Sequence, residues 1–226
     1  MEPFKNPSTL RNIVGTYPDA AYIADAVMSG GQFAKQAIAT QWLSEGVPYA
    51  FKDAPLIYES VRSWLSIRLN VEPKSINITG SGRLGQSLSP KQLGKKFGSH
   101  SDLDFFIVSE SLFSRIREDF NQWYADYYSG LVKPRNEREA SFWKENAVRG
   151  ERSIGRGFID ANIIPNLDPY SQTKKISQTM WLLSERLKVT SGAPEVKYMS
   201  IRCYKTWGDF ITQTFLNVEY SLPQVK

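Results

Sequence analysis

A chain of 226 residues with 41% hydrophobic and 13% aromatic side chains is long enough to bury a sizeable core and too apolar to be disordered. Its formal net charge of +5 favours polyanionic partners such as nucleotides or RNA, and no stretch reaches the roughly 18 to 20 uninterrupted apolar residues that a membrane-spanning helix needs. A single histidine, His100, and a single cysteine, Cys203, exclude a His-rich zinc site and an internal disulfide; the start, Met1 to Pro7, lacks the layout of a secretory signal, and together these point to the cytoplasm.

Phe33, Ile38 and Trp42 recur near helical spacing over 31–46, and Asp53 and Pro55 open a second helix carrying Ile57, Val61, Trp64, Leu65 and Arg68. Pro73 breaks the pattern, and Ser75-Ile76-Asn77-Ile78-Thr79 then alternates as a short strand that ends in the turn Gly80-Ser81-Gly82-Arg83-Leu84-Gly85. From Leu84 to His100 the chain is rich in Gly, Lys and Ser and reads as an extended loop. Asp102-Leu103-Asp104 opens the apolar run Phe105 to Val108, a second strand, and Leu112, Phe113, Ile116, Phe120, Trp123, Tyr124 and Tyr127 mark one face of an amphipathic helix. Residues 133–156 mix Lys and Arg with Glu at a density that suits a solvated helical face or loop, with a polyanion-binding surface as the alternative. Gly157 to Pro165 reads as a central strand with one charge, Asp160. Beyond Pro165 two helical stripes follow, Ile176, Met180, Leu183 and Leu187, then Val196, Met199, Cys203, Trp207, Phe210 and Ile211, with Cys203 in the core. The fold class predicted is α+β: a small mixed sheet over 71–168, an N-terminal helical segment over 1–70 packed on it, and a C-terminal helical lobe over 169–226.

In a strand, residues i and i+2 share a face, so Asp102 and Asp104 place two carboxylates side by side at a strand mouth. A hard divalent ion satisfies such a pair, because Mg²⁺ shares its shell between one or two carboxylates and substrate phosphates. Gly80 and Ser81 supply backbone N–H groups and a hydroxyl for the phosphates, and Arg83 adds a guanidinium or braces the turn. A charge inside a central strand is costly unless it is paired or metal-bound, so Asp160 is expected as a third ligand if its strand lies beside that of Asp102. Three converging carboxylates suit two Mg²⁺ ions, or Mn²⁺, in nucleotidyl transfer, with Asp160 also accepting the proton of the attacking hydroxyl. His100, Lys95 and Lys96 read as loop residues without a special role.

The order Gly-Ser turn, Ser101-Asp102-Leu103-Asp104 and a later strand Asp resembles the polymerase-β-like nucleotidyltransferase superfamily over residues 75 to 165. Ile201-Arg202-Cys203-Tyr204-Lys205-Thr206-Trp207 looks like the Arg-x-x-Lys-x-Trp helix of the branch that includes poly(A) polymerases, oligoadenylate synthases and bacterial cyclic-oligonucleotide synthases. The resemblance implies a Mg²⁺-dependent, ATP-binding type of transferase that moves NMP from a nucleoside triphosphate to a hydroxyl and releases pyrophosphate. By the same resemblance Lys205 would reach the β or γ phosphate, while Arg202 and Trp207 brace their helix. The gap from Ser81 to Asp102 exceeds that usual in the superfamily, so the Lys91 to His100 stretch reads as an insertion over the site. The acceptor implied is a second nucleotide, giving a signalling oligonucleotide in antiviral defence, or an RNA end or protein side chain, giving a modifying enzyme or toxin. The rival expectation is a catalytically silent nucleotide- or RNA-binding protein that acts through a partner.

Overall fold

The structure is a computed structural model that describes residues 8–221, together with the side chains of all of these except Pro90 and residues 217–221. Met1 to Pro7, on which the expectation about a secretory signal rests, lie outside the described residues. In chain order the helices and strands are α1 (Ala20–Ser29), α2 (Gln32–Ala37), α3 (Pro55–Leu69), β1 (Ile76–Thr79), α4 (Gly80–Leu84), β2 (Leu103–Val108), α5 (Glu110–Tyr128), α6 (Glu137–Gly155), β3 (Phe158–Asp160), α7 (Ser171–Lys188), β4 (Met199–Tyr204) and α8 (Trp207–Ser221). The result is the mixed α+β class expected, with one small mixed sheet.

Local chemistry sets the helix ends. Pro55 starts α3 at a position where its missing N–H is no loss, and Asn70 closes it in the left-handed region at φ 54°. The Ser109 hydroxyl accepts from the Leu112 N–H to cap α5, and Asn136 accepts from Glu139 to cap α6. Residues 137–155 thus form a helix whose buried stripe, Trp143, Ala147, Gly150 and Ser153, faces the protein while its charges face water.

The sheet order is β1-β2-β4-β3, with β1 antiparallel to β2, β4 parallel to β2 and β3 antiparallel to β4. One face carries Leu103, Phe105, Ile107, Ile159, Ile201 and Cys203 into the main core beneath α3, α5 and α7. On the other face Phe106, Phe158 and Tyr204 meet Phe210 of α8, with the Phe106 and Phe210 rings stacked at 4.2 Å. The N-terminal helices add a smaller cluster around Ile23, Val27, Ile38 and Leu84.

The segment from Met199 to Tyr204 corrects an expectation. Its Met199 and Cys203 fit a helical stripe, yet the stretch is a strand, and it lies in the middle of the sheet. Met199, Ile201 and Cys203 alternate with Ser200 and Arg202, the period-two pattern of a strand with one core-facing side. The loop from Gly85 to Phe97 also differs from an extended connection: Ser87 N–H donates to Lys95 O at 2.9 Å and Phe97 N–H to Gly85 O at 2.9 Å, folding it back on itself. Among the described residues no helix is long and apolar enough to cross a membrane.

Candidate functional site

Register brings the glycine turn and the acid pair together. Thr79 of β1 faces Asp104 of β2, so the chain turns at Gly80 directly beside that carboxylate. Gly80 has φ +65°, and a Cβ there would sit 4.0 Å from Asp104 Oδ2, so the backbone conformation, rather than crowding, calls for glycine. Ser81 follows in the first turn of α4. Asp102 is exposed just ahead of β2, and Asp104 is half-buried with Oδ1 accepting from the Ser200 hydroxyl at 2.6 Å. Burial holds the Asp104 carboxyl above its ordinary value, the Ser200 hydrogen bond and Arg202 oppose that, and the charges of Asp102 and Asp160 add to it.

Asp160 does not join them as a third ligand. Its strand is separated from β2 by β4, and it is level with Arg202 and not with Ser200. Strand spacings alone put the Asp104 and Asp160 Cα atoms roughly 12 Å apart. Arg202 takes Asp160 in a two-pronged grip, Nε to Oδ1 at 2.6 Å and Nη2 to Oδ2 at 3.0 Å, and Arg149 from α6 adds Nη2 to Oδ2 at 2.8 Å. The charge inside the strand is therefore neutralised by guanidinium groups. Burial alone would lower the Arg202 pKa, but the bound Asp160 carboxylate raises it on balance. Among the described residues no three His, Cys, Asp or Glu side chains are grouped to hold a metal ion.

Arg83 and Lys205 are also placed differently from their expected phosphate contacts. The Arg83 side chain is buried, donating from Nε to Trp42 O at 2.8 Å and from Nη1 to Val47 O at 2.9 Å, so of the two expected roles it has the bracing one. Lys205 lies past the C-terminal end of β4, about 16 Å along the strand direction from the level of Ser200. Its Nζ is 3.5 Å from Glu110 Oε1. His100, Lys95 and Lys96 are exposed loop residues, and Cys203 is buried, its thiol pushed up by desolvation.

A cleft of about 450 Å³ opens where β3 ends, between the N-terminal end of β4 and α7. Its lining includes Ser200, the hydroxyl partner of Asp104, with Tyr198, Trp181, Asn162 and Thr173. The Thr173 hydroxyl, buried and without a hydrogen-bond partner among the described residues, is the kind of polar group that a ligand or water satisfies. Neither the cleft nor the Arg149–Asp160–Arg202 grip follows from the spacing of motifs. The period-two alternation of 199–203 carried the signal for the central strand that creates both.

The residues fit part of the expected metal centre. Asp102 and Asp104, adjacent and repelling, form a donor pair that one hard cation shared with phosphates would relieve. A three-carboxylate, two-ion centre does not fit this arrangement, because every oxygen of Asp160 already receives a guanidinium hydrogen bond. Family models, curated proteins and solved structures give no match to this chain.

Proposed function

We propose that this chain binds a nucleoside triphosphate as its Mg²⁺ complex at the Asp102–Asp104 pair and transfers NMP to a hydroxyl acceptor. The observation that carries the reading is one juxtaposition: a glycine turn with positive φ beside the Asp102 and Asp104 carboxylates at a strand mouth. Asp102 and Asp104 would hold the ion, and Gly80 and Ser81 would face the phosphates. Such an ion supplies charge neutralisation on the phosphate oxygens, and Mn²⁺ serves the same donors. The acceptor oxygen would bond to the α phosphorus as the bond from that phosphorus to the bridging oxygen of the β phosphate breaks, pyrophosphate would leave, and the hydroxyl proton would pass to solvent water at the exposed strand mouth. The Ser200 hydroxyl holds Asp104 in place for this.

The grip on Asp160 favours a second reading, a silent nucleotide-binding protein, since the carboxylate best suited to take the acceptor proton is occupied. One experiment separates the two. Purified protein is incubated with each labelled nucleoside triphosphate and Mg²⁺ or Mn²⁺, with and without RNA, and pyrophosphate is measured. Release that vanishes in Asp102→Ala/Asp104→Ala is the expected result; saturable nucleotide binding without release under either metal overturns the transferase and leaves the silent binder.

A further inference from the structure

A second, polar groove of about 580 Å³ runs between the start of α6 and the segment after β3, and it shares Asn162, Pro165 and Asn166 with the cleft beside Ser200. Arg135 and Arg138 line it, and among the described residues neither guanidinium has an ion-pair or hydrogen-bond partner. Lys197 adds a third exposed cation in the adjoining cleft. The one acidic residue in either lining, Glu139, is already used: its carboxylate accepts from the Arg135 backbone N–H at 2.5 Å. Three aromatic rings stand along the same path at high exposure, Phe142 at 53%, Trp181 at 63% and Tyr198 at 55%.

Arginines without an anionic partner among the described residues, strung along one path with exposed rings, suit a ligand that has both flat faces and negative charge. Single strands of nucleic acid have that combination, with bases that stack on aromatic rings and a backbone that tracks cations. We propose that the continuous path from Arg135 and Arg138, past Phe142 and the Asn162–Asn166 ridge, to Trp181 and Tyr198 binds single-stranded RNA and presents it toward Ser200 and Asp104. The phosphates pair with Arg135, Arg138 and Lys197, and unpaired bases stack on Phe142 and the cleft aromatics. This deepens the transferase reading by naming its acceptor, and it rests on that reading for the word acceptor alone.

The test is fluorescence anisotropy of a labelled oligoadenylate about ten residues long, titrated with the full chain over a range of salt and without nucleotide. The expected result is binding that Arg135→Ala/Arg138→Ala weakens by at least about tenfold. The slope of log affinity against log salt then falls by about 1.4, the share of two phosphate contacts on a single strand. Phe142→Ala removes no charge from an exposed position and is expected to weaken binding by roughly fivefold or more at an unchanged salt slope. Lys74→Ala/Arg117→Ala removes the same charge from exposed positions outside the groove lining and is expected to change affinity by less than about twofold. No binding by the parent, equal losses in the two charge pairs, or equal affinity for a base-paired duplex overturns the proposal. Asp102→Ala/Asp104→Ala should keep strand affinity, and absent pyrophosphate release by the parent chain, with strand binding intact, sinks the transferase and not the groove.

Discussion

Asp102, Asp104 and Asp160 are all carboxylates near one sheet end, yet their surroundings give them opposite energetics. Asp160 holds two guanidiniums with its side chain only 12% exposed, so removing a partner strands a charge that water cannot easily reach. Arg202→Met is expected to destabilise the fold by about 2 to 4 kcal/mol, less than the full penalty of a sealed pair because Arg149 remains. Asp102→Asn, at an exposed position beside a like charge, should shift stability by no more than about 0.5 kcal/mol. Urea midpoints of the two variants check the contrast, and equal losses would contradict the grip. Asp104 supplies a pH signature. Its carboxyl lies above the ordinary 3.8, so the native state binds this proton more tightly than the unfolded chain. Stability from this group is therefore greatest at low pH and is lost as pH rises through the window above 3.8. Asp104→Asn should melt higher than the parent at neutral pH, with the gap closing toward acid pH. Millimolar Mg²⁺ should raise the melting temperature of the parent and leave that of the variant nearly unchanged.

At the scale of elements, helices with a strong apolar stripe and strands with a bordering turn were legible. The stripe of Leu112, Phe113, Ile116, Phe120 and Trp123 became α5, the run around Asp102 became β2, and the glycine turn lies where alternation ended. β4 escaped because Met199 and Cys203 are spaced to satisfy both periods, and the Arg-x-x-Lys-x-Trp likeness pulled the reading toward a helix. Because Met199–Tyr204 is a strand, it separates Asp160 from Asp104 and carries Lys205 to the far end of the sheet. The charged stretch 133–156 concealed a packed helix for another reason. Beyond Trp143 its buried stripe is made of the small residues Ala147, Gly150 and Ser153, and Gly150 marks where α6 comes down on α5. A Cβ there would lie 2.1 Å from Phe120 Cε2 and 3.0 Å from Ile163 Cδ1. Alanine is ordinarily favoured over glycine inside a helix by up to about 1 kcal/mol. Here Phe120 is buried against Trp123 and cannot swing clear, so Gly150→Ala is expected to lower stability by about 1 to 3 kcal/mol in chemical denaturation. A stabilised variant would mean that α6 lifts from α5 at little cost.

For the molecule as a whole, Arg83 links regions that sequence alone leaves independent. It sits in α4, immediately after the Gly80–Ser81 turn, and its guanidinium reaches back to Trp42 O and Val47 O in the N-terminal helical segment. Burial lowers its pKa, an effect countered by Tyr17 and Tyr58, and the structure compensates this desolvation through the two carbonyl contacts. Close by, Gly85 at φ +82° lets Tyr49 pack where a Cβ would come within 2.6 Å of its ring. The N-terminal segment is thus fastened to the turn that faces the acid pair. A phosphate-contacting Arg83 and a bracing Arg83 predict different outcomes for Arg83→Met, which keeps much of the apolar stem and removes the donors. Bracing predicts a loss of about 2 to 4 kcal/mol in stability, because two buried carbonyls lose their charged partner. It also predicts nucleotide affinity within about threefold of the parent at a temperature where both are folded, since an unmade contact cannot be lost. A phosphate contact predicts the reverse, a small stability change and at least about tenfold weaker nucleotide binding. Isothermal titration with a nucleoside triphosphate and Mg²⁺, run beside a urea melt of the same preparation, distinguishes them.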